Sequence, residues 1–260
     1  MAVTEPANAG LLRGPPAYAA STPWTPVWAL LAGVFIVAAS IVGAVLILGG
    51  FNMDTPIGMP GGGRWRPGDH DTAALATLAI WQVITVALTV LASTLFGGSA
   101  REVLALRTAV GAPTVYGKAI LLMVVLQLTL SVVQYNLVAE DMFADLRPFV
   151  RLVGGSEWAL ALLVVGFGAP LSEELLFRGF LLSALARSRL GFAGGAVITS
   201  GLWTALHAGY SAAGIIEVFL IGLFFSWLLW RTGSLRVPIF CHALYNCLIV
   251  VVLRHVPLPT

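Results

Sequence analysis

Six ionisable side chains lie inside long apolar stretches of this sequence, where charge is expensive to bury. They are Glu173, Glu174, Arg178, His207, Glu217 and His242. A charged Asp, Lys or Arg at the centre of a membrane-spanning helix costs at least about 2.5–3.5 kcal/mol on insertion scales. Such residues persist because they pair with each other, reach water or carry function, so each one needs its own interpretation.

Glu174 and Arg178 stand four residues apart, with the acid on the N-terminal side, so they face each other on a helix. We interpret them as a structural ion pair. Glu173 points about 100° away from Glu174, so Arg178 cannot serve both acids equally. Glu173 also follows Pro170, which frees backbone groups. An unpaired carboxylate in such a place is a candidate general base that takes a proton from water.

The two histidines carry polar or aromatic companions at the same helical spacing. Asn246 follows His242 by four residues, so both project from one face and can address one ligand oxygen together. Trp203 precedes His207 by four and offers an aromatic wall on that side. The alternative is that each histidine is a hydrogen-bonded packing residue.

Depth along the predicted helices tests whether these groups can meet. Counted from the predicted cytoplasmic helix ends, Glu173 and His207 lie at about 20 Å and 22 Å, and His242 at about 8–12 Å. Asn246 lies about 6 Å deeper than His242. We expect the four to line one intramembrane cavity that opens to the cytoplasm. Glu217, near the outer boundary, is expected to snorkel to water.

The elements that must position these residues are membrane-spanning helices. The chain has 260 residues, of which 58% are hydrophobic and 10% charged, whereas a soluble domain is about 25% charged. A cytosolic enzyme and a secreted disulfide scaffold are therefore excluded, and a net charge of +2 argues against a nucleic-acid partner. About 20 apolar residues cross a bilayer. The predicted fold is an all-α transmembrane bundle of about seven spanning helices, with eight as the alternative count. The predicted spans are 26–50, 72–96, 115–138, 158–186, 192–208, 214–230 and 237–253.

The predicted spans and the loops between them indicate the domain organisation of the chain and its orientation in the membrane. Residues 1–25, rich in Ala, Pro, Gly and Thr, are predicted to be a disordered cytosolic segment. Residues 26–260 form a single membrane domain, with peripheral helices over 26–138 and a motif-bearing core over 157–253. Basic loop residues favour a cytoplasmic N-terminus. Eight basic residues are predicted on the same side of the membrane as the N-terminus and five on the opposite side. The eight are Arg13, Arg101, Arg107, Lys118, Arg187, Arg189, Arg231 and Arg236, and the five are Arg64, Arg66, Arg147, Arg151 and Arg254. The predicted location is the cell membrane.

Three motifs, each on its own apolar helix, resemble those of one family. Glu173-Glu174-x-x-x-Arg178, Trp203-x-x-x-His207 and His242-x-x-x-Asn246 are similar in order and spacing to the motifs of the CPBP intramembrane proteases, also called the Abi family. These are CAAX-processing endopeptidases and bacteriocin-processing or self-immunity proteins. The resemblance covers Pro170–Asn246. The second motif of the family usually begins with Phe, so Trp203 puts the shape of the pocket in question.

The resemblance implies an endopeptidase that cuts a membrane-associated, or lipidated, protein or peptide. Glu173 and His207 would activate water, and His242 and Asn246 would stabilise the oxyanion. The expected partners are that substrate and membrane lipids, with no nucleic acid. No cofactor is required in this reading. The family has also been described as metalloproteases, which leaves a zinc site of Glu173, His207 and His242 as an alternative.

Two other functions remain open from the sequence. A non-catalytic immunity or scaffold protein of the same fold would bind a partner without cutting it. A transporter would use the buried acids as a proton relay, although the sequence shows no inverted repeat or paired broken helices.

Overall fold

The computed structural model describes residues 11–50, 69–138 and 143–258, and this part of the chain is helical with no strands. Residues 1–10 of the predicted N-terminal segment lie outside the described residues. The helices are α1 Pro26–Gly50, α2 Asp69–Thr94, α3 Ala100–Val103, α4 Thr114–Val138, α5 Arg147–Gly154, α6 Trp158–Ala186, α7 Gly191–Ala205, α8 Ala212–Thr232 and α9 Arg236–His255.

Six of these helices, α1, α2, α4, α6, α8 and α9, are long and apolar enough to cross a membrane. The all-α membrane fold is therefore confirmed, and the protein is an integral membrane protein. The predicted fifth span, 192–208, corresponds to α7, which has 15 residues. At 1.5 Å per residue α7 is about 22 Å long, which is shorter than a hydrocarbon core of about 30 Å.

Helix α6 is the central helix of the bundle. Half of its most apolar stretch is buried against other helices, compared with 22% or less in α1, α2 and α4. Two stretches of wider π-helical turns, Leu162–Gly168 and Glu174–Leu181, interrupt it on either side of Ala169–Glu173. Such turns are rare and frequently mark functional sites. Here they flank the first motif.

The turn between α7 and α8 is fixed by a carboxylate from the segment before α5. Asp145 Oδ1 accepts the backbone N–H of Ser211 at 2.7 Å, and Asp145 Oδ2 accepts the Ser211 hydroxyl at 2.8 Å. The same hydroxyl accepts the backbone N–H of Gly214 and so caps α8. A Cβ at position 214 would lie 2.0 Å from Asp145 Oδ2, so glycine is needed there.

The contacts at the two ends of the bundle agree with the predicted alternation of the spans. At one end, the N-terminal segment meets the ends of α6 and α8, where Arg187 donates to the carbonyl of Thr22 and Arg231 Nε donates to that of Leu11 at 2.8 Å. At the opposite end, the structure brings together Asp71 and Arg151, Asp145 and Ser211, and Gly154 and Arg254.

Residues 11–25 are packed against the bundle, so the prediction of disorder does not hold for them. Trp24 donates its indole N–H to the carbonyl of Ala92 at 2.9 Å, and its ring meets Phe180 of α6 edge-on at 5.3 Å. Leu11 is buried. The composition of this segment favours disorder, but composition carries no information about contacts with distant residues. Here Arg187 and Arg231 bind carbonyl groups of the segment.

Candidate active site

Glu174 and Arg178 form a fully buried pair on the π-helical part of α6. Arg178 Nη1 donates to Glu174 Oε1 at 3.1 Å, and neither side chain is exposed. The guanidinium carbon of Arg178 lies 4.3 Å from the centre of the Trp203 ring of α7. A Cβ at Gly222 of α8 would lie 2.9 Å from Arg178 Nη2, so glycine leaves room for the guanidinium. The pair therefore sits where α6, α7 and α8 meet.

The carboxylate of Glu174 also holds His242 of α9. His242 Nδ1 lies 3.0 Å from Glu174 Oε1, and the imidazole stacks on Phe225 at 4.9 Å. A carboxylate paired with arginine only accepts hydrogen bonds, so this contact assigns the proton to Nδ1 and leaves Nε2 facing the pocket. The sequence does not predict this contact, because no local spacing relates residues on two different helices.

Glu173, unlike its neighbour, is partly open. Its side chain is 22% exposed, and its Oε2 accepts the indole N–H of Trp203 at 2.6 Å. His242 Nε2 lies 3.9 Å from the same oxygen. That separation is too long for a hydrogen bond, and one water molecule can bridge it. The carboxylate expected to stand alone therefore has a donor on one side and an imidazole across a gap.

His207 lies in the turn that follows α7. Its Nδ1 is 3.1 Å from the backbone carbonyl of Trp203, and its ring packs edge-on against Trp203 at 5.2 Å and Tyr210 at 5.1 Å. A carbonyl only accepts, so Nδ1 carries the proton and Nε2 is the basic nitrogen. Trp203 links His207 to Glu173, since its carbonyl binds the first and its indole the second. Trp203 is thus more than the predicted aromatic wall.

Asn246 bonds to the interrupted backbone of α6. Its Nδ2 donates to the carbonyl of Val165 at 2.9 Å. In a π-helical turn the donor to Val165 would be the N–H of residue 170, and Pro170 has none. Gly166 allows the close approach, because a Cβ there would lie 2.7 Å from Cys247 Sγ. One amide hydrogen of Asn246 thus bonds to the free carbonyl of Val165, and the second amide hydrogen remains as a further donor.

The pocket is closed towards the N-terminal segment and open towards the opposite end. Every residue of α6 from 174 to 185 is buried, whereas Glu173, His207 and Tyr210 are partly exposed. Burial, together with the nearby charges of Glu173, Asp145 and Glu217, raises the pKa of Tyr210 to about 12. The prediction that the cavity opens to the cytoplasm stays a prediction, and the partly exposed residues of the site lie at the end of the bundle opposite the N-terminal segment.

The model of the Rce1-like family, described as type II CAAX prenyl endopeptidase, matches residues 155–248. This match confirms the resemblance to the CPBP intramembrane proteases, and it includes all three motifs. An uncharacterized 24.3 kDa protein of Escherichia coli is 42% identical over 86 residues, which is 32% of this chain and 39% of that protein. The chain thus spans about two-fifths of the length of this curated relative. No solved structure matches the chain.

Glu217 is partly exposed and also binds another helix. Its carboxylate accepts hydrogen bonds from the side-chain amides of Gln127 and Gln134 of α4. Gln127 also donates to the Tyr245 hydroxyl at 3.0 Å. Gln127 and Gln134 therefore bridge helices as expected from their types, whereas Asn136 bonds to the carbonyl of Val132 in its own helix.

The possible zinc ligands are Glu173, His207 and His242. No group of three or more His, Cys, Asp or Glu side chains among the described residues could hold a metal ion. Trp203 binds Glu173 through Oε2 and His207 through Nδ1, and the zinc set stays an alternative that chelation can test.

Proposed function

We propose that the protein is an intramembrane endopeptidase of the glutamate type, which hydrolyses a peptide bond in a membrane-associated or lipidated protein or peptide. The observation that carries the proposal is the approach of Glu173 and His242 to 3.9 Å inside the membrane bundle, with His242 oriented by Glu174. The Rce1-like match over residues 155–248 supports the same class of reaction.

In the proposed reaction, Glu173 activates a water molecule held in the gap beside His242. The water oxygen forms a bond to the peptide carbonyl carbon. At the same time Glu173 takes one proton from this water, and Nε2 of His207 assists the transfer. The carbonyl electron pair moves onto oxygen and gives an oxyanion. The carbon–nitrogen bond then breaks, and the proton passes to the leaving amine. General base catalysis of this kind contributes roughly 10²- to 10⁴-fold to the rate.

His242 and Asn246 are the proposed donors to the oxyanion. Nδ1–H of His242 is held by Glu174, so His242 donates Nε2–H to the oxyanion once Nε2 has taken a proton from solvent that enters the pocket before the reaction. Asn246 has one amide hydrogen left after bonding to Val165. One lost oxyanion donor typically lowers kcat by about 10²- to 10³-fold. No metal is required in this scheme.

The burial pattern supports entry of the substrate from the end of the bundle opposite the N-terminal segment. Residues 174–185 of α6 close the other route, and the packed N-terminal segment covers it. With a cytoplasmic N-terminus, as predicted from the basic residues, the pocket of this cell-membrane protein would face away from the cytoplasm.

The deciding experiment compares the purified protein with its Glu173→Gln variant on a library of peptides and lipidated peptides. We expect cleavage by the parent and none above background by the variant, with equal melting temperatures. Equal cleavage rates would contradict the role of Glu173. A Glu173→Gln variant that still protects or complements cells would instead favour the non-catalytic immunity or scaffold function.

A further inference from the structure

We propose that Trp203 is a positioning residue for Glu173, whose indole N–H holds the carboxylate in the orientation that receives a proton from water. This inference rests on the proposed function and deepens it, because it assigns to Trp203 a task that an aromatic ring alone cannot perform.

The indole is fixed before it reaches Glu173. Trp203 is 3% exposed, and its ring packs against His242 at 5.5 Å and Phe225 at 6.3 Å. The direction of its N–H is therefore set by packing. The bond to Glu173 Oε2 is 2.6 Å long, in the range of charge-assisted hydrogen bonds.

Arg178 strengthens this donor. Its guanidinium carbon lies 4.3 Å from the centre of the indole ring, where a cation attracts the π electrons. Electron density drawn towards the cation leaves the N–H more positive and a better donor. Arg178 is fully buried, and its Nε and Nη2 have no hydrogen-bond partner within the part of the chain that the structure describes. The face of the Trp203 ring is thus one of the main contacts of the Arg178 guanidinium. Trp203 thereby links the Glu174–Arg178 ion pair to Glu173.

The bond from Trp203 holds one oxygen of a partly exposed carboxylate. Glu173 is the partly exposed carboxylate of the pocket, and Oε2 is the oxygen that faces His242 at 3.9 Å. Anchoring Oε2 to the indole keeps that oxygen beside the gap where water is proposed to sit. A catalytic group held within about 0.5 Å of its productive position does not need to be reordered in each turnover.

The test is Trp203→Phe, which keeps a ring and removes the N–H. We expect kcat per folded molecule to fall by about ten- to a hundredfold, the effect of losing one hydrogen bond to a charged group, with KM nearly unchanged. The smaller ring also lowers the melting temperature, so kcat is normalised to the folded fraction. The control is Trp227→Phe, on α8, where Trp227 is partly exposed and stacks on Phe224. An unchanged kcat in Trp203→Phe, or a fall that accompanies an equal loss of folded protein, would overturn the proposal.

A second measurement does not depend on turnover. In protein labelled with 15N-tryptophan, the indole N–H resonance that disappears in Trp203→Phe should lie downfield and move upfield in Glu173→Ala. A resonance that does not respond to Glu173→Ala would show that the bond is absent and refute the inference alone. A parent protein without peptidase activity would refute the proposed function, even where the resonance responds.

Discussion

His242 and Arg178 share one oxygen atom of Glu174. His242 Nδ1 lies 3.0 Å from Oε1, and Arg178 Nη1 lies 3.1 Å from the same atom. The carboxylate therefore joins α9 to α6 and orients an imidazole, in addition to balancing the charge of an arginine. An ion pair predicted as purely structural thus lies one contact away from the proposed chemistry.

Arg178→Ala should destabilise the protein strongly. The substitution leaves the carboxylate of Glu174 buried without its arginine, and breaking a buried pair in this way costs about 3–5 kcal/mol. We expect a lower yield and a clearly lower melting temperature in detergent. Arg189→Ala is the matched control, because Arg189 is exposed. A melting temperature that stays the same in both variants would argue against the structural role of the pair.

Asn246→Ala should lower both stability and rate. It leaves the carbonyl of Val165 unpaired, at a cost of about 1–3 kcal/mol, and it removes one proposed oxyanion donor. The control is Asn136→Ala, since that amide bonds only to Val132 of its own helix on an exposed face. Thermal unfolding and kcat are measured on the same samples. If stability falls and kcat per folded molecule does not, Asn246 supports the backbone and is not an oxyanion donor.

Metal removal should leave the peptidase active. The proposed mechanism takes its base from Glu173 and its oxyanion donors from His242 and Asn246, and none of these steps needs a zinc-bound water. Purified protein treated with 1,10-phenanthroline should cut as fast as protein treated with the non-chelating 1,7 isomer. Loss of activity in the first sample alone, restored by added zinc, would establish the alternative zinc set.

The N-terminal segment and the mouth of the pocket should be labelled from opposite sides of the membrane. Single cysteines at Ala19 and Gly209, both exposed, report on the two ends in a background carrying Cys241→Ala and Cys247→Ala. In intact cells, a membrane-impermeant thiol reagent should label Gly209→Cys and not Ala19→Cys. Labelling of Ala19→Cys alone would reverse the orientation predicted from the basic residues, and labelling of both would contradict the topology.

The sequence predicted contacts within single helices better than contacts between helices. Glu174 and Arg178 meet because the spacing of four residues fixes their relation wherever the helix lies. The bond from Trp203 to Glu173 depends on how α6 and α7 are rotated, and apolar patterning does not determine rotation when every face is hydrophobic.

The predicted fifth span is longer than α7 for a local reason. Hydropathy continues past Ala205, so the pattern extended the span to residue 208, whereas α7 ends at Ala205 and Asp145 holds the turn that follows at Ser211. The hydrogen bond from Asn246 to the Val165 carbonyl could not be predicted from the sequence either. That carbonyl is free because a π-helical turn would pair it with the N–H of residue 170, and Pro170 has none.

The shortness of α7 has a consequence for the lipid around it. A helix of about 22 Å in a hydrocarbon layer of about 30 Å leaves a mismatch of about 8 Å on the side of the turn at His207. The bilayer adapts to such a mismatch by becoming thinner locally, which brings the lipid headgroups and their water closer to the turn. The bilayer itself would then shorten the path along which solvent reaches the scissile bond, and a bilayer of longer acyl chains should slow its supply.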